Sequence, residues 1–189
     1  VVSGQISYPW YSIAEDDVLE QGDILLGFEI PDMENAFSSD SDDYEIVLQS
    51  LDVIILTQSC DLLHDKARSV VLCPVSSLSK FVAEAIQRGE QHWKKSDYLE
   101  SLRQGNVPGF HLLSDYSSEA IEFPVSVVCF REIYSAPTTQ VRDHASRCRP
   151  RLRLCPPYKE HLAQAFARFF MRVGLPVDIP REKLKSSTQ

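Results

Sequence analysis

The sequence predicts a mixed, β-rich α+β domain: a barrel or strongly bent antiparallel sheet with inserted helices and a C-terminal amphipathic helix. Three observations carry that expectation. Short apolar, β-branched runs bounded by turn residues recur at 22–30, 51–57, 69–75, 110–113 and 121–134. Between residues 77 and 105 the apolar residues switch to helical spacing. After Pro156-Pro157, the residues Leu162, Phe166, Phe169, Phe170 and Val173 fall on one helical stripe that Gly174 and Pro176 end.

In chain order, residues 1–20 mix Tyr8, Trp10 and Tyr11 with an acidic stretch and read as an arm lying on the domain. Residues 21–176 read as one domain. Its first strand starts near Gly22 and is closed by Pro31, and residues 32–43 are acidic, Ser-rich and aperiodic, which predicts a loop. Residues 44–49 alternate as a strand and run almost directly into 51–57, too short a gap for a crossover. Within the latter, Val53–Ile54–Ile55–Leu56 is continuously apolar, which predicts a strand buried on both faces. In the helical insertion Leu78, Phe81, Val82, Ala85 and Ile86 share a face, with Ser77 or Ser79 as N-cap and Gly89 as stop; Trp93, Leu99 and Leu102 predict a second helix ending at Gly105. Pro124 predicts a bend in the 121–134 strand, and 177–189 is a polar tail.

At 189 residues, with 43% hydrophobic and 24% charged residues, the chain has ordinary globular composition. No apolar run approaches the roughly 20 residues of a membrane span, and the N-terminus lacks a signal peptide's basic start and apolar centre. Five cysteines without close pairing suit reduced thiols, so a bacterial or phage cytoplasm is the expected compartment. The net charge of −8 is divided: residues 1–65 carry 15 Asp or Glu and no Lys or Arg, whereas the remainder carries 19 basic and 12 acidic residues. That division permits a local basic face that a uniformly acidic chain would exclude.

Two clusters are candidate sites. Gln58, Ser59, Cys60 and Asp61 follow the most apolar strand directly, with His64 close behind. One reading makes Cys60 a nucleophile, with His64 as base and Asp61 or Gln58 orienting or polarising. A second lets Cys60 and His64 join Cys73, or Cys148 and Cys155, around zinc. In the third, Gln58 and Asp61 satisfy the backbone of a turn while Cys60 packs as a small apolar residue. No motif defines a cofactor, and the acidic run at 40–45 lacks the glycine turn and terminal Glu of an EF-hand loop. The other cluster is basic: Arg131, Arg142, Arg147, Arg149, Arg151 and Arg153, with only Glu132 and Asp143 among them. Alternation puts Arg149, Arg151 and Arg153 on one face of a strand, suited to phosphate, to an acidic partner protein or to the acidic N-terminal half.

Several of these pieces together resemble the MazF/PemK toxin family over most of residues 20–175. They are the triplet Gly22-Asp23-Ile24, the strands Asp52-Val53-Ile54-Ile55-Leu56-Thr57 and Val70-Val71-Leu72-Cys73-Pro74-Val75, the late strand ending Cys129-Phe130-Arg131-Glu132-Ile133, and the amphipathic helix over 158–173. The resemblance implies an SH3-like β-barrel with a C-terminal helix. In ribonuclease members of that family an Arg-Pro pair opens the second core strand, and the Arg carries the phosphodiester chemistry. Leu51-Asp52 stands in that place here, and Ser76 and Ser77 stand where a Thr is usual. The resemblance thus implies the fold without the group that stabilises the developing phosphorane charge. The phrase Leu56-Thr57-Gln58-Ser59-Cys60-Asp61-Leu62 is similar to a signature of bacterial proteins, some of them encoded near defence or regulatory genes. The expected function is a non-catalytic accessory or regulatory binding module of a bacterial defence, toxin–antitoxin-like or CRISPR-associated system. It would bind a protein partner, or nucleic acid through the arginine face, without a membrane. The rival expectation is an enzyme, either a MazF-type endoribonuclease or a Cys60-dependent hydrolase.

Overall fold

The computed structural model describes residues 8–32, 47–64 and 66–171. The acidic run at 40–45 and the tail at 177–189 lie outside the described residues. Strands β1 (Tyr11–Ala14), β2 (Ile24–Pro31) and β3 (Leu48–Ile55) precede a short helix, α1 (Ser59–Leu63), and the long strand β4 (Ser69–Ser77). The helical insertion follows as α2 (Leu78–Gln87), a 3-10 turn (Gln91–Lys94) and α3 (Ser96–Arg103). Then come β5 (Phe110–Leu113), β6 (Tyr116–Ser117), β7 (Glu122–Phe123), β8 (Ser126–Cys129), β9 (Tyr134–Pro137), α4 (Thr138–Arg147), β10 (Arg151–Leu154) and α5 (Tyr158–Phe170).

The main sheet runs β2-β3-β4-β8-β5, with β9 also on β4 and every pairing antiparallel. Among the described residues β2 and β5 do not pair with each other, so the sheet stays open rather than closing into a barrel. Its centre is β4, which bonds to three strands. Residues Ser69 to Leu72 pair with β9 and Val75 to Ser77 with β8. Pro74 falls in the gap between them. The Leu56 N–H bonds to the Val71 carbonyl, so alternation turns the proline nitrogen away from β3 and into that gap, where no rung is lost.

The run Val53 to Leu56 is buried on both faces. Ile54 and Leu56 join Cys73, Val75, Phe130, Leu152, Leu154 and Leu162 in one cluster. Val53 and Ile55 join Leu25, Phe28, Val70, Leu72, Val141 and Ala145 in another. β10 and α5 thus cover one face and α4 the other. The insertion builds a third cluster around Trp93, which is 0% exposed and meets Phe81, Tyr98 and Phe110 edge-on at 4.7, 4.8 and 5.2 Å. Ser77 caps α2 by accepting the Lys80 N–H, and Gly89 stops it at a φ of 90°.

Three features depart from the sequence reading. The strand expected over 121–134 breaks at Pro124 between β7 and β8, where the sequence places its interruption, but a turn then also separates β8 from β9. Helix α4 stands in the basic segment, where only Val141 and Ala145, four positions apart, mark its inner face beside Thr138. Phe170, expected on the apolar stripe of α5, is 55% exposed, while Phe166 and Phe169 pack inward.

The arm crosses to β10 through the ladder Tyr11↔Leu154 to Ala14↔Arg151. Gly22 makes the approach possible. At a φ of 87° its backbone lies so close to β10 that a Cβ would stand 2.9 Å from the Leu154 Cβ.

Candidate functional site

Cys60 is exposed in the first turn of α1, with its Sγ 3.7 Å from Gln58 Oε1 and 3.8 Å from Asp61 Oδ1. His64 ends α1, is exposed, and makes no hydrogen bond to Cys60. The structure therefore brings Cys60, Asp61 and Gln58 together, but among the described residues no histidine and no cation contacts the thiol to activate it. Other residues of the run tie the turn. Thr57 Oγ1 accepts the Val71 N–H at 2.8 Å, and Ser59 Oγ accepts the Gln21 N–H at 3.1 Å. The side chains of Gln58 and Asp61, expected to hold the turn, contact only Cys60 among the described residues.

Leu51 and Asp52 serve the sheet. Leu51 packs beside the α4-side cluster, and Asp52 Oδ1 accepts the Gly27 N–H at 2.9 Å where β2 bulges between Leu25 and Phe28. The other thiols do not converge on Cys60. Burial pushes Cys73 up to about 12, helped by Cys129 and Glu132, and burial also raises Cys129 and Cys148. Cys148 Sγ lies 3.1 Å from His144 Nε2, which is 2.9 Å from the Leu26 carbonyl. Among the described residues no three His, Cys, Asp or Glu side chains are grouped to hold a metal.

The arginines of β10 face inward and meet the acidic arm. Asp23 is 0% exposed and the Arg151 side chain 1%. Arg151 Nε donates to Asp23 Oδ2 at 3.0 Å, Nη1 to the Asp16 carbonyl at 2.7 Å and Nη2 to the Val18 carbonyl at 2.6 Å. Arg153 reaches Asp23, Glu20 and Asp16, and Lys159 donates to Glu20 Oε2 at 3.1 Å. Arg149 pairs with Asp17. At Asp16 desolvation works upward but is outweighed by Arg153 and Arg151, which hold the carboxyl below its ordinary range. Four acids and four bases thus neutralise each other, with the donors of Arg151 and Arg153 nearly all placed. The remaining arginines are dispersed. Arg142 donates to the Leu62 carbonyl at the end of α1, Arg147 donates to the Asp143 carbonyl, and Arg131 lies 4.8 Å over the Phe110 ring.

A different surface gathers polar groups of which several, Arg168, Gln164 and His111 Nε2, have no partner among the described residues. A groove of about 530 Å³ runs between residues 102–112 and the outer face of α5. Trp10 and Tyr158 stack at 3.8 Å and 11° along one wall, with His161 edge-on to Tyr158 at 6.4 Å. Gln164 and Arg168 continue the α5 wall, and Arg103, Gln104 and Asn106 come from the opposite side. Gly109 shapes the floor: its φ is 92°, and a Cβ there would lie 3.2 Å from Phe169. Among the described residues, none that lines the groove is acidic.

His111 also lines the groove, and its buried Nε2 is the one buried side-chain nitrogen or oxygen without a partner among the described residues. Burial, then the neighbouring His161, pushes this imidazole down to about 4, so it is neutral at pH 7. Arg103 is neutralised by Glu100 through contacts of 2.6 and 2.7 Å, whereas Arg168 is exposed and forms no ion pair among the described residues. Sequence reading singled out none of these groove residues. The available signal was His161, Gln164 and Arg168 at i, i+3 and i+7, one polar face of a helix whose other face is apolar.

No protein-family model matches the sequence, and no curated protein matches it significantly.

Proposed function

We propose that the chain is a non-catalytic binding module, an accessory or regulatory component of a bacterial defence or toxin–antitoxin-like system, that receives an anionic partner in the groove beside α5. The observation that carries this reading is the groove's lining among the described residues: two arginines, two histidines, three amides and no carboxylate, in a chain of net charge −8. Positive and neutral donors in a concavity concentrate anions. The structural duties of Leu51 and Asp52, and the lack of a base at Cys60, favour binding over catalysis.

The test is retention on a polyanion. Immobilised heparin should retain the protein at low salt and release it as salt rises, and Arg168→Glu should elute markedly earlier. Failure of the wild-type chain to be retained at low salt overturns the reading. The enzymatic rival is tested separately: total RNA incubated with chelator should survive both the wild type and Cys60→Ala. Phe170 and Met171, 55% and 79% exposed at the end of α5, favour a second reading in which a protein partner covers that apolar tip. A native pull-down losing its stoichiometric partner on Met171→Glu would support it.

A further inference from the structure

Resting on the reading of the groove as an anion site, we propose that its ligand is a nucleotide unit, with the base against the Trp10–Tyr158 wall and the phosphate at Arg168. An anion alone would need only the cation. The groove offers more: a fixed aromatic wall and the Gln164 amide, donor and acceptor both without a partner among the described residues, beside Gln104 and Asn106, whose amides bond to Glu100 and to each other. Edges of nucleobases present that same mixture, and their flat π-faces are what an aromatic wall binds.

The wall is anchored. The Cys155 N–H donates to the Trp10 carbonyl at 2.9 Å, and the Tyr158 hydroxyl donates to the Tyr8 carbonyl at 3.4 Å. Both rings are half-buried, which leaves surface toward the groove. From His161 to Arg168 the helix advances about 10 Å, at 1.5 Å per residue. That carries the ligand from the aromatic end to the free guanidinium. The volume, about 530 Å³, lies in the range of small-ligand sites and does not suit an intact duplex, whose base faces are hidden in any case. Glu100 already occupies Arg103, so Arg168 supplies the phosphate contact and affinity for a monophosphate is modest.

The chain contains two tryptophans, and they separate the test cleanly. Trp10 lines the groove, while Trp93 is sealed in the insertion core. Titrating the full chain with adenosine or uridine monophosphate should quench part of the tryptophan emission. Trp10→Phe should abolish the quench while calorimetry still detects binding. Adenosine without phosphate should bind at least tenfold more weakly, and Arg168→Glu should weaken the monophosphate about tenfold without changing adenosine. Arg168 lies on the exposed helix face, so a normal circular dichroism spectrum will confirm that this variant folds.

A short single-stranded oligonucleotide and free nucleotides form separate arms. Quenching by the oligonucleotide alone assigns the same chemistry to a strand rather than a metabolite. Equal affinity for adenosine and its monophosphate overturns the proposal. Binding of inorganic pyrophosphate as tightly as any nucleotide overturns it too. If heparin is retained but no nucleotide or oligonucleotide binds, the anion-site reading stands and this inference falls. Polyglutamate binding would then point to an acidic protein partner.

Discussion

The charge network under the arm and the groove beside α5 use the same residue types to opposite ends. In the network, Arg151 and Arg153 converge on Asp23 with nearly every donor placed, and its centre, Asp23 with Arg151, is almost dry. In the groove, Arg168 faces solvent and the His111 Nε2 is buried without a partner. Arginines sealed against carboxylates hold two parts of the chain together and offer nothing to a ligand. Polar groups left incompletely satisfied in a concavity do not strengthen the fold and remain available. A cluster of arginines in a sequence therefore marks charge, and only the placement of their acids tells which use they serve.

This contrast predicts a descending series of effects. Asp23→Ala should be the most damaging change, because it removes the buried carboxylate that Arg151 and Arg153 share and leaves the buried Arg151 Nε without its acceptor. The expected loss is about 3 to 5 kcal/mol of unfolding free energy by urea titration. A loss below 1 kcal/mol would show that the network is not the seal described.

His111 comes next. Its folded-state value near 4 lies below the ordinary histidine value of about 6.5. The unfolded chain therefore takes up the proton first as pH falls. Its stabilising contribution is full above about pH 6.5 and is lost between there and about pH 4, by roughly 3 kcal/mol. His111→Phe should flatten that acid slope and, by removing an unpartnered nitrogen, raise stability at pH 7.5 by about 1 kcal/mol. An unchanged slope in urea titrations at pH 7.5 and 4.5 would acquit His111.

Asp16→Asn should cost no more than about 1 kcal/mol, since this carboxylate is 53% exposed and water screens its pairing. Its depressed carboxyl contributes above the ordinary Asp range near pH 3.9, and that contribution disappears as pH falls through the lower folded value. Thermal melts of the variant at pH 7 and pH 3 should differ less than those of the wild type. The smallest effect belongs to Cys60→Ala, within about 0.5 kcal/mol, with heparin retention unchanged. In the wild-type chain a small thiol reagent should label Cys60 first and leave Cys73 untouched until unfolding.

The elements legible in the sequence were those whose apolar residues carry a period. The run Val53 to Leu56 fills two cores because no position in it is polar, and α2 and α5 show their stripes openly. Helix α4 was hidden because it is mostly polar and buries little more than Val141, Ala145 and Thr138. The arginine strand was visible as charge, but its counter-ion Asp23 lies 128 positions away, beyond any local pattern. For the same reason the groove escaped notice, since its walls come from Trp10, residues 102–112 and α5. The polar run after β3 was read for its cysteine, whereas its structural duty falls to Thr57 and Ser59, two hydroxyls without chemical novelty.

The ladder between β1 and β10 also sets an order of events during synthesis. Asp16 and Arg151 are 135 positions apart, so at about 5–20 residues per second the arm's carboxylates wait roughly ten seconds for their guanidinium partners to be made. Through that interval the emerging chain is strongly acidic and repels itself and its neighbours on the polysome. The last strand to appear then pairs its two arginines with the arm's carboxylates and fastens the first strand. In pulsed hydrogen exchange during refolding, the amides of β1 should accordingly gain protection after those of β3 and β4.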